Sequence, residues 1–204
     1  MSKSSRRWVQ EHERDPYVRQ ARQSQYRSRA VYKLMEIDRQ DHLFRRGQTV
    51  IDLGAAPGSW SQFASERVGA QGKVIAVDIL TMEPVPDVLF IMGDFTEQQT
   101  VDDCLRCLSG SRVDLVISDM APNISGIRHT DQARSMYLAE LVFEFSTAVL
   151  KPGGNLLVKV FQGADVEPYR RRLVDVFQRV KHRKPKASRD SSREFYMLAQ
   201  GYNV

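Results

Sequence analysis

Apolar positions in this chain follow two spacings that take turns. Short runs of β-branched and aliphatic residues, Thr49–Leu53, Lys73–Asp78, Val88–Met92, Val113–Ser118, Leu156–Val160 and Glu194–Ala199, read as strands. Between them lie stretches with apolar residues three and four apart, which predict helices over Ser59–Val68, Gln98–Leu108, Asp131–Leu150 and Val166–Val180. The longest carries Ala133, Met136, Tyr137, Leu141, Phe145 and Ala148 along one stripe, and Lys151-Pro152-Gly153-Gly154 is placed to stop it. A further helix is expected from Ser28 through Val31, Leu34 and Met35, closed by Gly47. Residues 1–27 show no sustained periodicity and read as an arm. Alternation of strand and helix predicts an α/β fold with a mostly parallel sheet covered on both faces. The chain has 204 residues, no repeat and no long linker, so residues 28–204 read as a single domain behind the arm.

Charge changes the picture by region. Residues 1–33 hold nine lysines and arginines against three acidic residues, and residues 170–193 hold ten against two, while the middle of the chain is acidic. Basic ends of this kind suit a polyanion such as nucleic acid, against the blander alternative of a solvated tail. Met1–Arg7 has no apolar stretch of a secretory signal, and no apolar run is long enough to span a bilayer, so a cytoplasmic protein is expected. The two cysteines form Cys104-Leu105-Arg106-Cys107, but neither a second pair nor a neighbouring histidine completes a metal site, and His12, His42, His129 and His182 are scattered. No metal is expected. Phe143 and Phe145 read as core, whereas Tyr26 and Tyr32, set among arginines, are candidates for contacting RNA.

The most informative segment is Asp52-Leu53-Gly54-Ala55-Ala56-Pro57-Gly58, a glycine turn at the end of the first strand. Ligands of doubly wound sheets sit at such strand ends, and glycine permits both positive φ and close backbone approach. The spacing is not the G-x-G-x-x-G of dinucleotide folds, and no Tyr-x-x-x-Lys occurs, which argues against a nicotinamide-dependent dehydrogenase. A cofactor without a pyrophosphate, S-adenosylmethionine, fits better. Asp78, twenty residues after Gly58, is placed to accept the ribose hydroxyls. Asp94 is expected near the adenine amino group, Asp119 near the sulfonium, and Trp60 against the cofactor. The competing explanation for each aspartate alone is a helix or turn cap.

Ser28-Arg29-Ala30-Val31-Tyr32-Lys33-Leu34, the turn with Ser59-Trp60-Ser61-Gln62, Ser118-Asp119-Met120-Ala121-Pro122-Asn123, Lys184-Pro185-Lys186-Ala187-Ser188-Arg189 and Ser192-Arg193-Glu194-Phe195-Tyr196 resemble the FtsJ/RrmJ ribose 2′-O-methyltransferases. The resemblance runs from about Ser24 to the end of the chain, with Ser59 departing from a frequent glycine. It implies a Rossmann-like S-adenosylmethionine-dependent methyltransferase fold with a seven-stranded, mostly parallel sheet. It also implies a catalytic Lys33, Asp119, Lys159 and Glu194, with Gly54, Gly58, Trp60, Asp78, Asp94 and Asp119 binding the cofactor. Lys159 is expected to act on the attacking hydroxyl, either as base or as a charge beside the forming alkoxide, with its pKa lowered by the sulfonium and Lys33. The bacterial members that methylate a uridine of 23S rRNA in the large ribosomal subunit share the compact length and basic arm, and a monomer is expected. Relatives acting on transfer RNA, and a non-catalytic RNA-binding assembly factor, are the alternatives.

Overall fold

The computed structural model describes residues 15–123, 125–189 and 192–203. A short helix, α1 (Pro16–Gln23), leads into α2 (Val31–Asp41), and the chain then alternates as β1 (Thr49–Leu53), α3 (Ser59–Val68), β2 (Lys73–Asp78), β3 (Val88–Met92), α4 (Gln98–Leu108), β4 (Val113–Ser118), α5 (Arg128–Val149), β5 (Leu150–Phe161), α6 (Val166–Val176), β6 (Phe177–Arg183) and β7 (Glu194–Tyr202). The seven strands form one sheet in the order β3-β2-β1-β4-β5-β7-β6. Only β7 is reversed: it is antiparallel to both β5 and β6, and every other neighbouring pair is parallel.

The period of two in the strands sorts the core into two layers. Ile51, Ile75, Val77, Val116 and Val158 face α4, α5 and α6. Val50, Val74, Leu115, Ile117 and Leu157 face α2 and α3. Near-continuous apolar strands are what a sheet buried on both faces requires. Strand order reverses between β1 and β4, and the carboxyl ends of β1, β2, β4 and β5 gather at this crevice.

Several expected boundaries move, each for a local reason. Within the expected arm, Pro16–Gln23 is helical, capped by the Asp15 carboxylate on the Tyr17 amide at 2.9 Å, and it buries Val18 and Ala21. Residues 1–14 of the arm lie outside the described residues. The helix expected to close at Gly47 ends earlier, at His42, which takes the left-handed conformation (φ 52°). Asp131 does not start α5: it lies in the first turn, and its carboxylate reaches back to the amides of Ser125 (2.8 Å) and Gly126 (3.0 Å). Lys151–Gly154 stops α5 but does not separate it from the next strand. Val113 and Leu115 of β4 face Leu150 and Asn155 of β5, so the intervening four residues bulge out of the ladder. The expected helix over Val166–Val180 ends at Val176, and Phe177–Arg183 is a strand. That strand is one edge of the sheet, and its run of basic residues hid it; such charge is common on edges, where it blocks pairing with other chains.

Candidate active site

The turn after β1 brings Gly54 (φ 79°) and Gly58 (φ 105°) into conformations that disfavour side chains. At Gly54 a Cβ would also overlap the Met120 backbone, with 2.9 Å to its amide nitrogen. This close approach of the β1 and β4 ends shapes a cavity of about 600 Å³ lined by Gly54, Asp78, Asp94, Phe95, Asp119 and Tyr137 among others. Four of the residues expected at a cofactor therefore line one space. Asp78 accepts the Ala56 and Leu80 amides, each at 2.8 Å and each on a different oxygen, so it fastens the turn to β2. Each carboxylate oxygen retains a lone pair for a further donor. Asp94 accepts the Thr96 amide (2.9 Å) and hydroxyl (2.8 Å) on Oδ1 alone, leaving Oδ2 without a hydrogen bond among the described residues.

Trp60 and Gly58 are placed differently from the expectation and do not line this cavity. Trp60 is buried; its indole N–H donates to the Ala30 carbonyl at 2.8 Å, and its ring packs at 5.7 Å from that of Tyr196. It ties α3 to the start of α2. Gly58 leaves room for Arg27, whose guanidinium donates to the Pro57 carbonyl at 3.1 Å.

Next to the cavity stand the four residues of the expected tetrad. Lys159 is only 7% exposed, and its amine lies 3.0 Å from Asp119 Oδ1 and also donates to the Asp119 carbonyl. Lys33, on α2, pairs with Glu194 at the start of β7. What joins the two pairs is a residue that the sequence pattern did not single out. The Tyr196 hydroxyl donates to Asp119 Oδ1 at 2.6 Å, and Lys33 stands 5.9 Å from its ring centre. The register explains the grouping: Lys159 is directly opposite Tyr196, and Phe161 opposite Glu194, across the β5–β7 ladder. The period of two along β7 puts Glu194 and Tyr196 on one face, but only the ladder brings Lys159 opposite Tyr196.

Burial alone would raise the Asp119 carboxyl pKa, but Lys159, Lys33 and the Tyr196 hydroxyl outweigh it and hold the group below its ordinary range. Asp119 is thus a fixed anion facing the buried Lys159 amine. Tyr196 is pushed far up, first by burial and then by the Asp119 and Glu194 charges, so its hydroxyl stays a donor. Behind the turn, Asp52 is fully buried. It accepts the Ser61 hydroxyl at 2.6 Å on Oδ2, while Oδ1 has no partner. Burial pushes its pKa up to about 7; the Ser61 bond opposes this, and the Asp119 and Asp78 charges add to it.

A second space of about 350 Å³, bounded by Arg29, Lys33, Arg189 and Glu194, opens beside the tetrad with a basic rim. Of the two tyrosines expected to meet RNA, Tyr26 donates its hydroxyl to Glu66 at 2.6 Å and Tyr32 packs on Tyr17. Phe143 and Phe145 are core. Cys104 is buried in the core with its thiol pKa pushed up to about 11 by burial, and both cysteines are unpaired. Among the described residues no group of three or more His, Cys, Asp or Glu is placed to hold a metal ion. Nor is any helix there long and apolar enough to cross a membrane.

A glycine turn at the switch point, an acidic cavity beyond it and a buried Lys-Asp pair at its edge define a Rossmann-like methyltransferase. The chain belongs to the FtsJ-like methyltransferase family, whose model matches residues 26–202. It is 52% identical over 201 residues to a ribosomal RNA large subunit methyltransferase E of Pseudomonas aeruginosa, covering 98% of this chain and 97% of that one. A protein of the same description from Azoarcus sp. is 55% identical over 197 residues, covering 97% and 96%. A crystal structure from Plasmodium falciparum, described as a ribosomal RNA methyltransferase, superposes with a TM-score of 0.79 at 31% identity, covering 87% of this chain and 98% of that one.

Proposed function

We propose that this enzyme transfers a methyl group from S-adenosylmethionine to a ribose 2′-hydroxyl of RNA, a uridine of 23S rRNA in the large ribosomal subunit. The observation that carries the reading is the Lys159–Asp119–Tyr196 cluster, set between the 600 Å³ cavity and the basic pocket of Arg29, Lys33 and Arg189. The names of the relatives support the ribosomal substrate.

The residues present fit the cofactor. Asp78 would accept the ribose hydroxyls, Asp94 Oδ2 the adenine amino group, with Phe95 against the ring, and the anionic Asp119 would face the sulfonium beside Gly54. Gly58 and Trp60 support this seat from behind rather than touching it. When bound, S-adenosylmethionine supplies an electrophilic methyl group. The protein's remaining task is to place and activate a poor nucleophile. Lys159 is held by two bonds to Asp119, which itself lines the cavity, so it would receive the 2′-hydroxyl proton or hold the developing negative charge. Lys33 and Glu194 would hold the ribose and its flanking phosphate against Tyr196. Residues 28–204 form the catalytic domain in this reading, the basic segment 1–27 is an RNA-contacting arm, and the protein works in the cytoplasm as a monomer.

The test is labelled methyl incorporation into ribosomal subunits from cells lacking the enzyme, with the modified nucleotide mapped. Lys159→Ala should lower transfer at least about a hundredfold, the scale of a lost general base, while calorimetry shows cofactor binding intact. Near-normal activity of that variant would overturn the assignment of Lys159. A methyl group found on a base, or on protein, would overturn the ribose acceptor.

A further inference from the structure

Arg27 closes the basic segment assigned above to RNA, yet its side chain turns toward the glycine turn. The guanidinium donates to three backbone carbonyls: Pro57 at 3.1 Å, Pro84 at 2.6 Å, and Glu83. Among the described residues it makes no ion pair. The Arg27 amide donates to Gln62 Oε1 at 3.0 Å, and Gln62 Nε2 donates to the Gln25 carbonyl at 3.3 Å, so α3 holds the chain on both sides of Tyr26.

The three carbonyls belong to two segments that wall one space. Pro57 lies in the glycine turn, whose Gly54 and Ala56 line the 600 Å³ cavity. Glu83 and Pro84 follow Ile79 and Leu80, which also line it. The connection from β2 to β3, residues 79–87, has little packing of its own, since Val85 is its only buried residue. Asp78 fastens the start of this connection to Ala56, and Arg27 fastens its middle to Pro57. Gly58 gives them room to meet: a Cβ there would lie 2.9 Å from the Arg27 guanidinium, 3.1 Å from Val85 and 3.2 Å from Met82. Carbonyls outside a strand ladder need donors from elsewhere. A planar guanidinium spreads its donors over separate nitrogens and can span two segments, whereas an ammonium is a single point.

We propose that Arg27 is a positioning residue for S-adenosylmethionine. It ties the Pro57 limb of the turn to the Glu83–Pro84 segment and so fixes two walls of the cavity relative to each other. The inference rests on the cofactor reading given above, and it gives this arginine a role apart from RNA contact. Arg27 acts only through those walls; its hydrogen bonds include none to Lys33, Asp119, Lys159 or Glu194.

Calorimetry of S-adenosylmethionine binding, which needs no RNA, tests this on the unaltered protein and on three variants. Arg27→Ala should raise Kd about tenfold or more, since it removes bonds from a charged donor. Arg27→Lys keeps the charge but loses the fork, and should weaken binding nearly as far. Gln62→Ala frees the Arg27 backbone but leaves the guanidinium, and should raise Kd about threefold. In methyl transfer, the KM for the cofactor should rise in step, with kcat at saturating cofactor within about twofold of the unaltered enzyme. Hydrogen exchange of the ligand-free proteins should quicken at residues 54–58 and 79–87 in both Arg27 variants and stay unchanged in β4 and β5. Where β4 and β5 also exchange fast, Arg27→Ala has lost its fold and Gln62→Ala decides: weaker binding supports the proposal and unchanged binding overturns it. Unchanged affinity in a folded Arg27→Ala, full rescue by Arg27→Lys, or a fall in kcat with KM intact overturns it as well. No binding by the unaltered protein overturns the cofactor reading and this inference together; binding that no variant weakens overturns this inference alone.

Discussion

Asp52 offers the sharpest test of the electrostatics around the turn. An aspartate in the unfolded chain titrates near pH 3.9, whereas burial in the folded protein pushes this carboxyl up to about 7. The folded state therefore binds the proton more tightly than the unfolded one. The stability this contributes is fully present below about pH 4, declines as pH rises to about 7 and is level above that. A separation of about three pKa units, at 1.36 kcal/mol each, amounts to about 4 kcal/mol. Asp52→Asn keeps the shape and the bond from Ser61 and exchanges one unpaired acceptor oxygen for an unpaired NH2 with two donors, so the main change is loss of the charge. Urea unfolding of both proteins, followed by tryptophan fluorescence from pH 4.5 to 8.5, should show the variant more stable by up to about 4 kcal/mol at pH 8, with the gap shrinking toward zero near pH 4. Groups distant from Asp52 cancel in the difference, whereas Asp78 and Asp119 are coupled to it and contribute to the same profile. Parallel pH profiles for the two proteins, or a variant less stable at pH 8, would refute the reasoning.

Asp78→Ala should weaken cofactor affinity about tenfold or more by calorimetry, since it removes both a charged acceptor and the bonds that fasten Ala56 and Leu80; an unchanged affinity would remove Asp78 from the site. Tyr196→Phe should lower kcat about tenfold with cofactor affinity retained, because the lost bond at 2.6 Å orients Asp119 and not the cofactor. A fall in affinity with kcat intact would instead put the hydroxyl on the cofactor.

Thr49–Leu53, Lys73–Asp78 and Val113–Ser118 were legible because burial on both faces leaves few polar residues in them, and Val88–Met92, though partly exposed at a sheet edge, because it is apolar throughout; all four emerge with the boundaries expected. Phe177–Arg183 was not, since an edge strand studded with Lys and Arg has no apolar period to detect. At the site, Gly54, Asp78, Asp94 and Asp119 could be placed from strand ends alone. Tyr196 could not, because its importance comes from facing Lys159 across a ladder between strands far apart in sequence. Trp60 was misplaced for a related reason. An aromatic beside a glycine turn invites a ligand contact, but the helix phase of α3 turns it toward Ala30 and the core.

The position of β7 has a consequence for synthesis. It follows β6 in the chain yet lies between β5 and β6 in the sheet, and it carries Glu194 and Tyr196. A nascent chain complete through β6 holds the glycine turn, Asp78 and the Lys159–Asp119 pair, but it has neither the partner of Lys33 nor the hydroxyl that orients Asp119. The proposed catalytic set closes only when this strand pairs with β5, and β6, whose sheet pairing is with β7, joins the sheet with it. Cofactor affinity should thus be acquired before catalytic competence as the polypeptide emerges, with an interval between them set by how fast that one strand pairs.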